Sequence, residues 1–287
     1  MDQTFIARVY PRSRANTSHF SISDLREPRP PIPFNQEQVL LTPQYSSPPR
    51  VAIGLTALDV SANHDLRICA YVDRLAEDSF VVHLDSWGST ELLAASATWL
   101  DVAADDPHFQ VGSFDTIEIQ SSEQPEQAIS KRIDFERTFA DSPPIVLVWL
   151  NSVHANKSHN TRVKVYTSDI DKQGFTIHVD TWGDSILYSG GASWIAYPAS
   201  RAGTFSGVVD IEGEPGLQCN GDVSFPIAFA ESPNVLLAVN WIDFACQKEV
   251  GFKTFVDCAS DKGFKWHFNL SEGSHCYGAG VSYLALV

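Results

Sequence analysis

The chain has 287 residues, 44% of them hydrophobic and seven of them Trp, enough to build real cores. Its 35 acidic and 20 basic residues leave a formal charge of -15, a sign that opposes attraction to phosphate and argues against nucleic acid or an anionic membrane as partner. No run approaches the ~20 apolar residues of a membrane-spanning helix. The opening MDQTFIARVYPRSR lacks the apolar stretch of a secretory signal, so the expectation is a soluble chain, cytoplasmic or secreted without a recognisable signal peptide.

Residues 1–15 are basic and irregular and read as a loose N-terminal arm. Beyond them the chain repeats itself. Arg67, Tyr71, Phe80, His83, Asp85, Trp87, Gly88 and Trp99 recur, 95 positions on, as Arg162, Tyr166, Phe175, His178, Asp180, Trp182, Gly183 and Trp194. Phe255, Phe264, His267 and Tyr283 follow Tyr166, Phe175, His178 and Trp194 by 89 positions. A fixed aromatic register over three copies is an internal repeat, and it divides the chain into units at 16–105, 106–200 and 201–287.

Each unit opens on a Phe-led segment at Phe20, Phe114 or Phe205 and enters a turn-rich connection such as REPRPPIPFNQE. A short alternating strand follows, with Val39, Leu41 and Tyr45 matched by Ile133, Phe135 and Phe139, then by Val223, Phe225 and Phe229. A Ser-Pro break precedes an apolar run (VAIGL, IVLVWL or VLLAVNW) that fits an interior strand. Three more strands of period 2 complete the unit, with Ile68, Ala70 and Val72 opposing Arg67, Cys69 and Tyr71. In the second copy Val163, Val165 and Thr167 oppose Arg162, Lys164 and Tyr166; a face carrying Lys164 is not the core, so both arginines should point outward. Trp99 and Trp194 are expected in the core. Six short strands per unit and no long helical periodicity predict an all-β chain of three tandem six-stranded antiparallel β-sandwiches.

The ordered set Ser-Pro-Pro, apolar run, Leu58-Asp59-Val60, Leu66-Arg67-Ile68, Trp87-Gly88 and Ala97-Thr98-Trp99 resembles the H-type lectin domain of snail agglutinins and discoidin C-terminal domains. The second copy carries the resemblance from Ser142 to Ala196, and the third mainly through its hydrophobic skeleton. The resemblance implies a trimer of six-stranded sandwiches that binds galactose or N-acetylgalactosamine near protomer junctions, here folded into one chain as a pseudo-trimer. Such a sugar offers hydroxyls on one edge and a C–H patch on one face. Arg67 and Arg162 supply a forked donor, and Trp87 and Trp182 an apolar plane. Gly88 and Gly183 stand where the snail family has His, so one donor is missing. The family's Tyr survives as Tyr188 but is Leu93 in the first copy, and its acidic loop residue falls near Asn35 and near Glu126. Gly251 replaces Arg and Ser271 replaces Trp in the third copy.

Five cysteines are an odd number for a disulfide framework, and four lie in the third copy. Cys258 sits twelve residues beyond Cys246 along an extended strand, so a bond from Cys246 to Cys276 or Cys219 is expected. His275 alongside completes no strong zinc pattern, and no cofactor is called for. His83, His178 and His267 share an outward position and would converge around a threefold axis, as metal ligands, as a pH-sensitive cluster or, more simply, in hydrogen bonds between repeats. Asp85 and Asp180 nearby are equally readable as solvated charges.

The function expected is therefore a lectin for glycans and glycoproteins with terminal galactose or N-acetylgalactosamine, and not an enzyme. The rivals are a glycan-active enzyme, for which no recurring pair of facing carboxylates and no GxSxG or HExxH signature is present, and a scaffold that has lost sugar binding.

Overall fold

The computed structural model describes residues 7–11, 19–25, 30–42 and 44–287. Residues 1–6 and 12–15 of the expected arm, and 26–29 of the first Pro-rich connection, lie outside the described residues. Within the arm, Ala7–Pro11 is no loose segment but strand β1, paired in parallel with β3.

The fold is all-β; its described helices are two 3-10 turns, Ile22–Asp24 and Thr116–Glu118. The first repeat continues with β2 (His19–Ser21), β3 (Gln36–Thr42), β4 (Arg50–Val60), β5 (Leu66–Asp73), β6 (Ser79–Asp85) and β7 (Leu92–Val102). The second holds β8 (Gln110–Asp115), β9 (Ala128–Asp134), β10 (Ile145–Ala155), β11 (Thr161–Ser168), β12 (Gly174–Asp180) and β13 (Leu187–Tyr197). The third holds β14 (Thr204–Glu212), β15 (Gln218–Ser224), β16 (Asn234–Phe244), β17 (Val250–Ser260), β18 (Gly263–Leu270) and β19 (Cys276–Leu286). Among the described residues no helix is long and apolar enough to cross a membrane.

Each repeat buries its aromatics between two facing sheets. Trp99 on β7 meets Phe80 on β6 edge-on at 5.8 Å. Trp194 on β13 meets Phe175 on β12 at 5.4 Å, and Tyr283 on β19 meets Phe264 on β18 at 5.0 Å. These are the recurring positions seen in the sequence, and the offset or edge-on geometry is the one that ring quadrupoles favour.

The hydrogen-bonded sheets, however, do not respect the repeats. One sheet runs β1-β3-β6-β5-β10-β13-β8, a second β14-β19-β16-β11-β12-β9 and a third β15-β18-β17-β4-β7-β2. Each sheet therefore joins strands of two repeats, and the third returns to the first, so every repeat is tied to both others by a backbone ladder. Three pairings make the joins: β5 with β10, β11 with β16, and β17 with β4.

The three apolar runs β4, β10 and β16 also pack on one another in the middle of the molecule. Gly54, Trp149 and Ala238 occupy the same register position in the three copies. A Cβ placed on Gly54 would fall 2.5 Å from the Trp149 Cβ and 2.6 Å from the Ala238 Cβ. Trp149 is fully buried, donates its indole N–H to the Ser282 carbonyl at 3.1 Å, and heads a separate cluster with Leu147, Ile195, Tyr197, Leu236 and Leu284. One indole thus fills a space that three identical side chains could not share, with Gly and Ala making room.

Filling or emptying that centre should be costly. Gly54→Val is expected to lose about 2 kcal/mol or more by overpacking, and Trp149→Ala about 3–5 kcal/mol by leaving a cavity. Urea unfolding checks both; a change under about 0.5 kcal/mol, the range of ordinary surface substitutions, would contradict the packing.

Candidate functional site at the repeat junctions

Where two repeats join, the register brings a fixed trio of positions face to face. Arg67 on β5 lies opposite His154 on β10, Arg162 on β11 opposite Asp243 on β16, and Gly251 on β17 opposite Asp59 on β4. A register shift follows immediately: His154 pairs with Ser189 but Ala155 with Leu187, and Asp243 with Gly278 but Phe244 with Cys276. Tyr188 and Tyr277 are the extra residues of these bulges. A bulge re-aims a side chain next to a site, and here it turns each tyrosine onto the rim of the junction.

At the first junction Arg67 is largely covered, with 17% of its side chain exposed. Its Nε donates to His154 Nε2 at 3.1 Å, Nη1 to Thr90 Oγ1 at 3.4 Å and Nη2 to Asp65 at 2.8 Å. These contacts use three of the five guanidinium donors and leave the remainder for a ligand. The Trp87 ring, 37% exposed, meets the His154 ring edge-on at 5.7 Å, and His154 meets Tyr188 at 4.7 Å. Asn156 holds the Tyr188 hydroxyl from its amide at 2.8 Å. Arg67 and Trp87 are thus brought together on one exposed rim, with His154 touching both.

Gly88 has φ +64°, and a Cβ there would lie 3.3 Å from Arg67 Nη1. Gly183 has φ +66°, with 2.7 Å to Arg162 Nη1. Both positions need the left-handed region that glycine occupies without strain, and both let the guanidinium tuck beneath the turn. Any side chain at either position would be strained and would crowd the guanidinium.

At the second junction Arg162 is held more tightly. Its Nη1 donates to Asp184 at 2.7 Å and to Ser185 Oγ at 3.2 Å, and its Nε faces Asp243 at 3.2 Å. Burial opposes the charge, but the Asp184 and Asp243 carboxylates outweigh it and hold Arg162 above its ordinary pKa. Burial pushes Asp243 up against the attraction of Arg162, and the Trp182 side chain is a further hydrogen-bond partner of that carboxylate. Exposed Asp184 is pulled down by the hydrogen bond from Arg162 and by contact with His159. Trp182 is half-buried, and Tyr277 stands 39% exposed beside His275.

Two site expectations need correction. Tyr188, on β13, does not join Arg162 and Trp182 of its own repeat; the sheet exchange gives it to the Arg67 junction, and Tyr277 takes the corresponding place at the second. Asn35 is 3% exposed and spends its amide on the Ile32 and Leu84 carbonyls, so it braces the Pro-rich loop instead of facing the rim. Glu126 is exposed in the matching loop, beside Gln127, whose amide reaches the Gly183 carbonyl at 2.8 Å. His154, Asp243, Gln127 and Tyr277 escaped the sequence reading. The 95- and 89-residue offsets alone align Asp59, His154 and Asp243, but only the sheet exchange sets them against the arginines.

The third junction carries neither group. Ser271 fills the place of the indole, and a Cβ on Gly251 would lie 2.4 Å from its Cβ and Oγ.

Three other expectations fail on placement. His83, His178 and His267 do not converge: each lies on a different sheet and stacks on an aromatic of the neighbouring strand, Tyr71, Tyr166 or Phe255, at 4.4, 4.4 and 4.5 Å. Asp85 and Asp180 are not solvated charges but accept the Tyr71 and Tyr166 hydroxyls at 2.9 and 2.7 Å. All five cysteines are free. Cys276 points inward against the Gly278 carbonyl, Cys246 sits in the β16–β17 loop, and Cys219 belongs to another sheet, so no expected pair meets.

Sandwiches that share strands thus bring an arginine, an indole and a phenol to two junctions. The H-type lectin domain profile matches residues 36–100, 130–197 and 220–286, and the chain belongs to that family. A carbohydrate-binding protein of the lectin class is what this membership supports. A solved structure of recombinant discoidin II from Dictyostelium discoideum is similar at 17% identity, over 51% of this chain and 73% of that one, with a TM-score of 0.29. A comparison with curated proteins finds no match.

The Arg67 hydrogen bond needs a lone pair on His154 Nε2. Burial first, then the Arg67 charge, lowers the His154 pKa against the pull of Asp65. At His83, burial is outweighed by hydrogen bonds to Asp85 and Asp73, and the pKa rises. NMR titration should therefore find His154 below and His83 above the ordinary value of about 6.5, with Asp65→Asn lowering His154 further. His154 titrating above His83 would contradict the geometry.

Proposed function

We propose that the chain is a non-catalytic lectin for galactose and N-acetylgalactosamine groups on glycans and glycoproteins. It would act as a pseudo-trimer within one chain, with two working sites. The observation that carries the reading is the junction where Arg67 and Trp87 of one repeat meet His154 and Tyr188 of the next. A guanidinium with donors to spare answers vicinal hydroxyls, and an exposed indole answers the C–H face of the ring. Arg162 with Trp182, Asp243 and Tyr277 forms the second site, rimmed by Glu126, Gly183 and Gln127. The exchange of sheets between repeats supports the pseudo-trimer, since it closes a ring of three units without a second chain. Ser271 and Gly251 favour a scaffold role for the third junction.

Two sites fixed on one rigid frame can bridge two glycans, so the protein should agglutinate cells that display them. Arg67→Ala is expected to weaken N-acetylgalactosamine binding at the first site about 10- to 100-fold, the worth of a charge-assisted hydrogen bond. Arg67→Ala with Arg162→Ala should abolish agglutination, and free N-acetylgalactosamine should prevent it in the native protein. A glycan array without galactose-type hits, or unchanged binding by the double variant, would overturn the reading. Protonation of His154 removes the acceptor for Arg67, so binding at the first site should fade as pH drops through its lowered pKa.

A further inference from the structure

The two sites share their Arg, Trp, Gly and Tyr positions yet differ in the polar groups that hold the guanidinium. Pro33 and Gln127 are equivalent, since their carbonyls accept the matching Ser86 and Thr181 amides at 2.7 and 2.8 Å. Their neighbours Ile32 and Glu126 are therefore equivalent too. The same register pairs Asp65 with Asn160, Ser89 with Asp184, and His154 with Asp243. Around Arg67 this leaves a single carboxylate, Asp65, and Lys157 and Glu91 flank Asn63 and offset each other. Around Arg162 it leaves three carboxylates, Asp184 and Asp243 in contact and Glu126 on the rim, against the one His159 ring that faces Asp184 at 3.4 Å. The first site is thus balanced in charge and the second is negative.

The rims differ in the same sense. Beside Trp87 the Pro-rich loop exposes Ile32 (42%) and Phe34 (64%). The corresponding loop at the second site presents Glu126, Gln127 and Ala128.

We propose, on the strength of the lectin reading above, that the second junction selects galactose-type sugars bearing a free protonated amine, while the first takes their neutral N-acetylated counterparts. An ammonium placed beside Arg162 meets Asp184, which is exposed and remains charged, and adds no unpaired charge to the site. The same ammonium at the first junction meets Arg67 with only Asp65 to balance it, and an apolar rim that favours an acetyl methyl instead. His154 and Asp243 are then specificity-determining residues, each given to the site by the neighbouring repeat.

Isothermal titration calorimetry with galactosamine and N-acetylgalactosamine, at pH about 7 where the amine is largely charged, tests this on Trp87→Ala, which retains the second site, and Trp182→Ala, which retains the first. The second site should prefer galactosamine by about two- to fivefold, the worth of one exposed ion pair. The first should show the reverse order. Raising NaCl from about 50 to about 500 mM should erase the galactosamine preference by screening. In the Trp87→Ala background, Asp184→Ser, an exposed change to the residue the first site carries, should bring the two affinities together. Equal affinities at the second site, or a preference that survives both salt and Asp184→Ser, overturns the inference while leaving the lectin reading intact. No binding of either sugar by the native chain overturns that reading and the inference with it.

Discussion

The structure depends on three strands meeting at one point. β4, β10 and β16 pack together only because the shared register position holds Gly54, Trp149 and Ala238, one large residue and two small ones. Three copies of the Trp149 indole would clash there and three copies of Gly54 would leave a hole, so the divergence of the repeats at this position is what fits them together. They are also tied by backbone hydrogen bonds: each repeat lends about half its strands to a ladder with another repeat, and losing one would strip two sheets of partners.

That exchange is what builds the two candidate sites. Taken alone, one repeat offers an arginine and an indole on a hairpin, with nothing opposite. Its neighbour supplies the imidazole or carboxylate that orients the guanidinium and the bulged tyrosine that walls the rim. Because each site borrows from two copies, a substitution in one repeat alters the site of another. His154 and Asp243 show the consequence: residues at the same place in two repeats give the two arginines opposite electrostatic surroundings.

Much of this architecture was legible in the sequence. Period-2 alternation located the strands, the Ser-Pro breaks marked the entry to β4, β10 and β16, and the fixed spacing of Trp99 and Trp194 identified core anchors. Strand alternation is a local property, so it survives in sequence. Which strands pair is not local. Nothing in the residues of β5 says that its free edge meets β10 of the next copy, and so Tyr188 was placed with the wrong arginine and His154 was missed. The histidine triplet misled for a related reason: its outward face is covered by Tyr71, Tyr166 and Phe255 from adjacent strands, so the three imidazoles are spent within their own repeats. Asn35 and Asp85 looked like loop and surface residues, yet they hydrogen-bond each other where the loop folds back on β6.

On our proposal, sugar is held between repeats and not by any one of them. A crystal structure of the chain grown with N-acetylgalactosamine tests it most directly. The account predicts a sugar stacked on Trp87, hydrogen-bonded to Arg67, and in contact with His154 or Tyr188 from the adjoining repeat. A sugar that touches residues of a single repeat, or that lies beside Gly251 and Ser271, would contradict it.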